Sequence, residues 1–156
     1  MFSIVYKCTQ IRETEGVYEE MIIEIHQEPV AKGRPRFRVM GKYVSTYTPA
    51  KTQQAEKEVI KEIKEQFKAQ PYEGPLAVWI TFYFCIPKSY TKKEKQAIHD
   101  RNYLHTKKPD CDNLAKLYLD AMNGIVYHDD MQIQQLHLRK FYSQGEGSVS
   151  IQIEEI

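Results

Sequence analysis

A nearly unbroken apolar segment, LAVWITFYFCI at residues 76–86, constrains the fold of this chain more than any other feature. Pro75 and Pro87 bracket it, and it is rich in the β-branched and aromatic residues that favour strands. A strand without polar alternation is typical of the centre of a sheet that is covered on both faces. We therefore expect a central strand here, with Trp79 as a core residue.

Two amphipathic helices are predicted to cover this strand. The first would have Thr48 as its N-cap and Pro49 as its first residue, and would run to about Lys68. Its apolar face consists of Ala55, Val59, Ile60, Ile63 and Phe67. The second follows Asp110 and ends at Asn123–Gly124. Its apolar face consists of Leu114, Leu117, Tyr118 and Ala121.

The remaining segments complete an α+β fold. Residues 21–28, MIIEIHQE, alternate as a half-buried strand does, and residues 132–142 and 148–156 are typical of a closing hairpin. A basic stretch rich in Gly and Pro, from Pro29 to Pro49, is expected to be an ordered loop or an irregular hairpin, and a short helix is expected after Thr91. The predicted order is β-α-β-α-β-β, with a single mixed sheet and two main helices.

Bulk composition limits the class of protein. A chain of 156 residues with 42% hydrophobic and 28% charged residues suits one globular domain. No apolar run approaches the roughly 20 residues of a membrane span, and the first ten residues lack the pattern of a signal peptide. The three cysteines share no metal-ligand spacing and are expected to be reduced thiols, so we expect a cytoplasmic location.

Five aspartates are concentrated around the second helix. Asp110, Asp112 and Asp120 belong to KPDCDNLAKLYLD, and Asp129 and Asp130 follow in HDDMQI. At 100° per residue, positions 112, 116 and 120 fall on one side of the helix, opposite its apolar face. If the connection folds back so that both acidic segments meet, their carboxylates would suit Mg²⁺ or Mn²⁺ rather than Zn²⁺.

A purely structural interpretation of these residues stays open at this point. An Asp-x-Asp pair before a helix is often a cap, and Asp112, Lys116 and Asp120 at i, i+4 and i+8 are also typical of a solvated salt-bridge face. Asp129–Asp130 alone would be interpreted as a turn. His128 adjoins the pair, but a catalytic role for it is not expected.

Basic residues cluster in two segments, both of which precede the aspartates in the sequence. With a net charge of only +1, any binding of nucleic acid must depend on such local patches. In an extended R-P-R-F-R segment, alternate residues point to one side and suit a phosphate backbone. The predicted DNA-binding residues are Lys32, Arg34, Arg36, Arg38, Lys42, Lys107 and Lys108. The alternative is a solubilising loop with scattered charge.

The segment KPDCDNLAKLYLDAMNGIVYHDDMQI resembles the signature of the RusA family of Holliday junction resolvases, also called crossover-junction endodeoxyribonucleases. The family pattern is D-x-D-N-L-x-K, then D-A two turns later, then D-D-x-Q-[IV], and every one of these positions is filled. The basic segment VAKGRPRFRVMGKYVSTYTP is similar to that of many Gram-positive bacterial and phage members. The resemblance covers roughly residues 21–156 as one endonuclease domain and leaves residues 1–20 as an N-terminal extension.

The resemblance implies specific roles. Asp110, Asp112 and Asp130 would be the essential metal ligands, Lys116 the essential lysine, and Asp129 a less critical ligand. Asp120 would bind metal, bond to Lys116 or support a dimer. The family further implies a homodimer that uses Mg²⁺, with Mn²⁺ as a substitute, to nick two opposed strands of a four-way DNA junction symmetrically during recombination and repair. Family habit also suggests a phage or prophage gene.

Two alternatives of different kinds accompany this reading. The first is a debranching nuclease that cuts forks and flaps as readily as four-way junctions. The second is an inactive protein that binds branched DNA without cutting it. The complete set of Asp110, Asp112, Lys116 and Asp130 argues against the inactive protein.

Overall fold

The computed structural model describes residues 20–33, 36–41, 43–47, 49–100 and 104–156, with backbone only at 36–40, 44–47 and 51. The predicted N-terminal extension, residues 1–20, therefore lies outside the described residues except for Glu20, and its boundary stays a prediction. Arg34, Lys42 and Thr48 are also outside them.

Six strands and three helices follow one another in this part of the chain. They are β1 (Met21–Ile25), β2 (Arg36–Met40), β3 (Tyr43–Tyr47), α1 (Ala50–Gln66), β4 (Leu76–Cys85), α2 (Lys92–His99), α3 (Cys111–Met122), β5 (Ile133–Ser143) and β6 (Ser148–Glu155). A single 3₁₀ turn, Asp130–Gln132, precedes β5.

Four of the strands form one mixed sheet in the order β1-β6-β4-β5. Strand β4 is parallel to β5 and antiparallel to β6, and β6 is antiparallel to β1. The predicted α+β fold with a single mixed main sheet is confirmed. The expected closing hairpin is wrong, because β5 and β6 follow each other in the chain but β4 lies between them in the sheet. The order β-α-β-α-β-β is extended by the β2–β3 hairpin and by the short helix α2.

The core lies between this sheet and two helices on one of its faces. Helices α1 and α3 contact each other, while α1 also contacts β1 and α3 contacts β5. Fully buried side chains fill the space between the layers: Ile23, Ile25, Val59, Ile63, Val78, Ile80, Phe82, Leu114, Leu117, Tyr118, Ile151 and Ile153. These include the predicted apolar faces of both helices, although Ile60 is only partly buried.

The prediction for the central strand was half right. Strand β4 is central, but its burial alternates: Val78, Ile80 and Phe82 are buried, whereas Trp79 and Tyr83 are half-buried on the opposite face. Both described long helices lie on one face, so the expectation of covering on both faces was wrong within the described chain. Trp79 is consequently not a core residue.

Helix boundaries were predicted to within a few residues. Helix α1 starts at Ala50, with Pro49 in the N-cap position rather than the first turn, and ends at Gln66. The short helix after Thr91 is confirmed. Its capping box pairs the Thr91 side chain with the Glu94 backbone N–H and the Glu94 carboxylate with the Thr91 N–H, satisfying two free helix donors.

The basic stretch before α1 forms the irregular hairpin that was one of its two predicted forms. We call β2 and β3 together the arm; they are antiparallel, with Arg36 opposite Tyr47, and Gly41 adopts φ +64° at their turn. Glycine suits this position because a left-handed backbone conformation carries no steric cost without a Cβ atom.

The root of the arm is attached to α3. The Tyr118 hydroxyl accepts a hydrogen bond from the Val30 N–H at 3.2 Å, and the Lys32 N–H donates to the Asn113 carbonyl at 2.8 Å. Burial raises the pKa of Tyr118 to about 12, so its hydroxyl stays neutral at physiological pH. The strand β1 therefore leads into the arm along the helix that carries the acidic residues. No helix among the described residues is long and apolar enough to cross a membrane.

Replacing Tyr118 with Phe tests this attachment. The substitution keeps the buried ring but removes the acceptor of the Val30 N–H, so we expect the free energy of unfolding to fall by about 1 kcal/mol. Urea titration would measure the loss. Tyr43, which is 81% exposed, provides the matched control, and Tyr43→Phe should leave the stability unchanged. Equal stabilities for both variants would contradict the attachment.

Candidate active site

The carboxylates at the start of α3 have no structural partner in the part of the chain that the structure describes. Asp110 occupies the N-cap position, yet its side chain makes no capping hydrogen bond. Asp112 is exposed in the first turn, and neither carboxylate pairs with a cation or donor among the described residues. A simple capping role, the structural alternative for this pair, is therefore not supported.

The polar side of α3 forms one wall of an open depression of about 280 Å³. Its lining residues are Asp112, Ala115, Lys116, Leu119, Asp120, Asp130, Leu136 and Leu138. The predicted convergence is thus present in part, since Asp112, Lys116 and Asp130 share one cavity. Asp110 and Asp129 do not line it. The leucines of β5 form an apolar wall opposite the charged helix face.

Asp130 reaches the depression because the turn that carries it is held by Gln132. The Gln132 side-chain amide donates to the carbonyls of Tyr72 and Gly74 at 2.8 and 3.0 Å, and its oxygen accepts from the N–H groups of His128 and Asp129 at 2.8 and 3.1 Å. Two of these hydrogen bonds join the turn to the segment before β4, and the other two are made within the turn.

The two members of the acidic pair have different surroundings. Asp129 caps the 3₁₀ turn, because its Oδ1 accepts from the Met131 N–H at 2.9 Å. The carboxylate of Asp130 has no such partner among the described residues. Sequence reasoning treated Gln132 only as part of a motif. Of the predicted metal ligands, Asp129 is the least suited, because its Oδ1 already accepts the hydrogen bond that caps this turn.

Tyr127 joins this turn to α3. Its buried hydroxyl donates to the Leu119 carbonyl at 2.8 Å. Burial raises the pKa of Tyr127 far above its usual range, and the negative charges of Asp130 and Asp120 raise it further. The hydroxyl therefore remains a neutral donor beside the carboxylates.

Asp120 is paired with two lysines from different elements. Its Oδ2 contacts the Lys32 ammonium, and its Oδ1 lies 3.8 Å from that of Lys116 one turn earlier. Lys32 also lies 3.8 Å from a carboxylate oxygen of Glu56 on α1. Of the three roles left open for Asp120, these contacts favour the bond to Lys116. Lys116 itself is 64% exposed and points its charge towards the depression that it lines.

The predicted DNA-binding residues fall into three groups. The Lys32 side chain is only 27% exposed and forms ion pairs with Asp120 and Glu56. These ion pairs compete with phosphate binding. Arg36 and Arg38 lie two residues apart on β2, which confirms the extended backbone on which their prediction depended. Arg34 and Lys42 lie outside the described residues.

Lys107 and Lys108 precede Asp110 directly. The Lys107 ammonium lies 4.6 Å from the centre of the Tyr90 ring, in the geometry of a cation–π contact, while Lys108 is exposed and joined to Pro109 by a cis peptide bond. Both cations therefore belong to the segment that leads into Asp110.

Lys140 holds the segment that leads into Asp110. Its ammonium donates to the carbonyls of Lys107 and Pro109, both at 2.9 Å. Sequence reasoning missed this residue, although one signal was available. Along β5 the inward positions are Leu136, Leu138, Lys140 and Tyr142, so a lysine interrupts an otherwise apolar alternation.

Aromatic packing also holds the segment before Asp110. The buried His105 ring lies between Phe84 and Tyr142, with ring centres 4.3 and 4.6 Å away. Burial lowers the pKa of His105, and the nearby charge of Lys140 lowers it further. A neutral imidazole therefore packs here as a flat aromatic ring.

The donor set has the chemistry of a site for a hard divalent cation. Carboxylate oxygens are the ligands that Mg²⁺ and Mn²⁺ prefer, and three carboxylates face one depression. However, among the residues that the structure describes, no three acidic, histidine or cysteine side chains lie close enough together to hold an ion. Asp112, Asp120 and Asp130 would have to move towards one another to share a cation.

Comparisons with known proteins identify the family to which this chain is similar. The family model described as Endodeoxyribonuclease RusA matches residues 26–154. YqaN, an uncharacterized protein of Bacillus subtilis (strain 168), is 34% identical over 134 residues, which cover 85% of this chain and 94% of YqaN. The family match includes the arm, both acidic segments, β5 and nearly all of β6.

Substitution of Lys140 by Met tests whether this ammonium holds the segment before Asp110. Loss of two charge-assisted hydrogen bonds should increase local opening roughly tenfold or more, so trypsin should cut after Lys107 correspondingly faster. Limited digestion followed by mass spectrometry would measure the rate at that bond.

The matched control is Lys95→Met, which removes an exposed lysine from α2. It should leave cleavage after Lys107 at the wild-type rate. If Lys140→Met also leaves that rate unchanged, the two hydrogen bonds do not hold the segment.

Proposed function

The chain belongs to the RusA family of endodeoxyribonucleases, and from this membership we propose that it is a structure-selective nuclease that resolves four-way DNA junctions. The observation that carries the proposal is the shared depression of Asp112, Lys116 and Asp130. Two of these residues are carboxylates without a structural partner among the described residues. Such groups repel each other and favour a function that brings a cation.

The proposed cofactor is Mg²⁺, for which Mn²⁺ would substitute. Asp110, Asp112 and Asp130 would hold it, with Asp129 as a weaker addition because its Oδ1 already caps a turn. A bound divalent ion supplies charge neutralisation at the scissile phosphate and activation of the attacking water. The all-oxygen donor set is the physical support for this choice.

The residues of the chain would perform the remaining steps. Lys116 would place its ammonium beside the phosphate oxygens and offset the charge that develops on them during in-line attack. Asp120 would orient Lys116, since the two side chains lie 3.8 Å apart across one helical turn. Gln132 would hold Asp130 at its side of the depression through the four hydrogen bonds described above.

Binding of the DNA backbone would depend on the arm and on the lysines that precede Asp110. Arg36 and Arg38 on β2, together with Arg34 and Lys42, suit a phosphate backbone because guanidinium groups bind phosphate in bidentate geometry. Lys107 and Lys108 would hold the scissile strand next to the carboxylates. Lys32 would contribute indirectly, by holding the root of the arm against α3.

The proposed reaction is a pair of symmetric nicks by a homodimer. A two-fold symmetric protein matches the two equivalent strands of a four-way junction, and each copy would cut one of them. The products would carry 5′ phosphates ready for ligation, as recombination and repair require. Bacterial and phage DNA lies in the cytoplasm, which is the compartment that we propose.

The inactive branched-DNA binder is the less suitable alternative. A protein that only binds DNA gains nothing from unpaired carboxylates, which repel the phosphate backbone. Asp110 and Asp112 have no capping or ion-pair role among the described residues that would otherwise explain their presence.

Cleavage of synthetic DNA tests the proposal directly. In Mg²⁺ we expect paired symmetric nicks in a four-way junction, much slower cutting of a replication fork, and none of linear duplex. Asp112→Asn should lower the rate by at least about a hundredfold, because charge stabilisation in the transition state is worth several kcal/mol. Removal of the metal with a chelator should abolish cleavage.

Glu65→Gln is the matched control, because it neutralises an exposed carboxylate of α1 that does not line the depression and should cut at the wild-type rate. Equal cutting of forks and four-way junctions would establish the general debranching nuclease instead. Tight junction binding by a wild-type protein that does not cut in either metal would establish the inactive binder.

Replacement of Arg36 by Ala tests the role of the arm. Loss of one phosphate contact should reduce the slope of log affinity against log salt concentration by about one unit. Fluorescence anisotropy with a labelled junction in Ca²⁺, at several salt concentrations, would measure it. Lys93→Ala, an exposed residue of α2, should leave the slope unchanged. An unchanged slope for Arg36→Ala would exclude it as a phosphate contact.

A further inference from the structure

Asp120 differs from the other two carboxylates that line the depression. Asp112 and Asp130 have no cationic partner in the part of the chain that the structure describes. Asp120, in contrast, contacts the Lys32 ammonium through Oδ2 and lies 3.8 Å from that of Lys116 through Oδ1. The negative charge at this end of the depression is therefore already offset by the protein itself.

The backbone holds Lys32 in this position. Its N–H donates to the Asn113 carbonyl at 2.8 Å, and two residues earlier the Val30 N–H donates to the Tyr118 hydroxyl at 3.2 Å. Both acceptors belong to α3, the helix that carries Asp120. A side chain on a backbone that is already fixed loses only its own rotamer freedom when it binds. The fold therefore delivers this ammonium to Asp120 at a low cost in entropy.

A second carboxylate strengthens the hold on Lys32. An Oε1 atom of Glu56 on α1 lies 3.8 Å from the ammonium, and the side chains of Lys32, Glu56 and Asp120 are only 24–27% exposed. Partial burial removes much of the screening by water that weakens ion pairs on a surface. Withdrawal of the ammonium would leave two partly buried carboxylates without their shared cation, which is unfavourable.

Helical spacing prevents Asp120 from sharing one metal ion with Asp112. The two residues are eight positions apart, which corresponds to about 12 Å along the axis of α3. Since Mg²⁺ binds oxygen at about 2.1 Å, two aspartate side chains cannot span this distance around one ion. Asp120 could therefore serve only a second ion, as in two-metal sites whose ions lie about 4 Å apart.

Lys32 opposes the binding of such a second ion. A divalent cation on either carboxylate oxygen of Asp120 would lie within a few ångströms of the Lys32 ammonium, and like charges at that separation repel strongly in a partly buried site. The cation could replace the ammonium on Oδ2 only by breaking the ion pair that the fixed backbone maintains.

We propose that Lys32 takes the place of a second metal ion: its ammonium neutralises Asp120 and restricts the depression to one divalent cation, at the end formed by Asp112 and Asp130. The inference rests on the proposed function, whose metal site it assumes, and deepens it by fixing the number of ions. The positive charge that a second ion would bring to the phosphate must then come from Lys116, which lines the same depression. Lys32 is thus a positioning residue that acts through Asp120.

Counting the bound Mn²⁺ ions tests the proposal without DNA and without cleavage. Titration of the metal-free full chain, followed by the electron paramagnetic resonance signal of free Mn²⁺, gives the number of ions per chain. We expect one ion for the wild type and two for Lys32→Met, in which the dissociation constant of the second ion should fall at least about tenfold. Lys32→Arg keeps the charge and should bind one ion.

Further variants locate the second ion and control for folding. Lys32→Met combined with Asp120→Asn removes the ligand of the second ion and should return the count to one. Lys61→Met is the matched control, because it removes an exposed lysine that is paired with Glu65 on α1, and it should bind one ion. If circular dichroism shows that Lys32→Met does not fold, Lys32→Gln carries the same expectation, since it keeps a donor for Asp120 without the charge.

The outcomes separate this inference from the proposed function. Two tightly bound ions in the wild type, or a single ion in the uncharged variants of Lys32, would overturn the inference and leave the proposed nuclease intact. A second ion that persists when Asp120 is also replaced by Asn would overturn it too, because the ion would then bind elsewhere. A wild type that binds no Mn²⁺ would overturn the proposed cofactor together with the inference.

Discussion

Burial of one side of α3 is the interaction on which the rest of the structure depends. Leu114, Leu117, Tyr118 and Ala121 are fully buried against the sheet and α1. Because helical residues advance by 100° each, burying this side fixes the direction of the other. Asp112 and Lys116 must then face outward, into the depression formed with β5. Stability and chemistry are therefore coupled within one helix, since any rotation that exposes the leucines also displaces the carboxylates.

Much of this arrangement could be predicted from the sequence because it depends on local periodicity. The helices, the last two strands and the outward stripe at positions 112, 116 and 120 follow from spacings of three or four residues and of two. The pairing of those two strands was wrong, because β4 is inserted between them and alternation within a strand does not indicate its neighbour. The partial convergence of the two acidic segments depends instead on the path of the intervening chain. Gln132 and Tyr127 determine that path through bonds to residues distant in sequence, such as Tyr72. No pattern in the neighbouring residues indicates those partners.

The central strand illustrates a different limit of sequence reasoning. A continuous apolar run predicted a strand covered on both faces, whereas Trp79 and Tyr83 are half-buried on the face of the sheet opposite the helices. A hydrophobic sequence indicates that a surface is shielded from water, but it does not show whether a helix, a stacked side chain or another molecule shields it. In the same way, a lysine in the sequence indicates a positive charge but not the group that the charge binds. Lys32 and Lys140 both bind groups within the protein rather than standing free, and only tertiary contacts reveal this.

The insertion of the arm between β1 and α1 has an evolutionary consequence. Its root is closed at Gly33, where a Cβ atom would lie 2.8 Å from the Thr52 hydroxyl, and the Lys32 N–H is fixed to the Asn113 carbonyl at 2.8 Å. Beyond that closure, the described backbone of β2 pairs with that of β3. The arm is therefore a hairpin whose root is held at one fixed position on the core. If the arm binds DNA as proposed, relatives can lengthen, recharge or replace it without repacking the core, and the choice of DNA substrate can diversify while the residues proposed for cleavage remain unchanged.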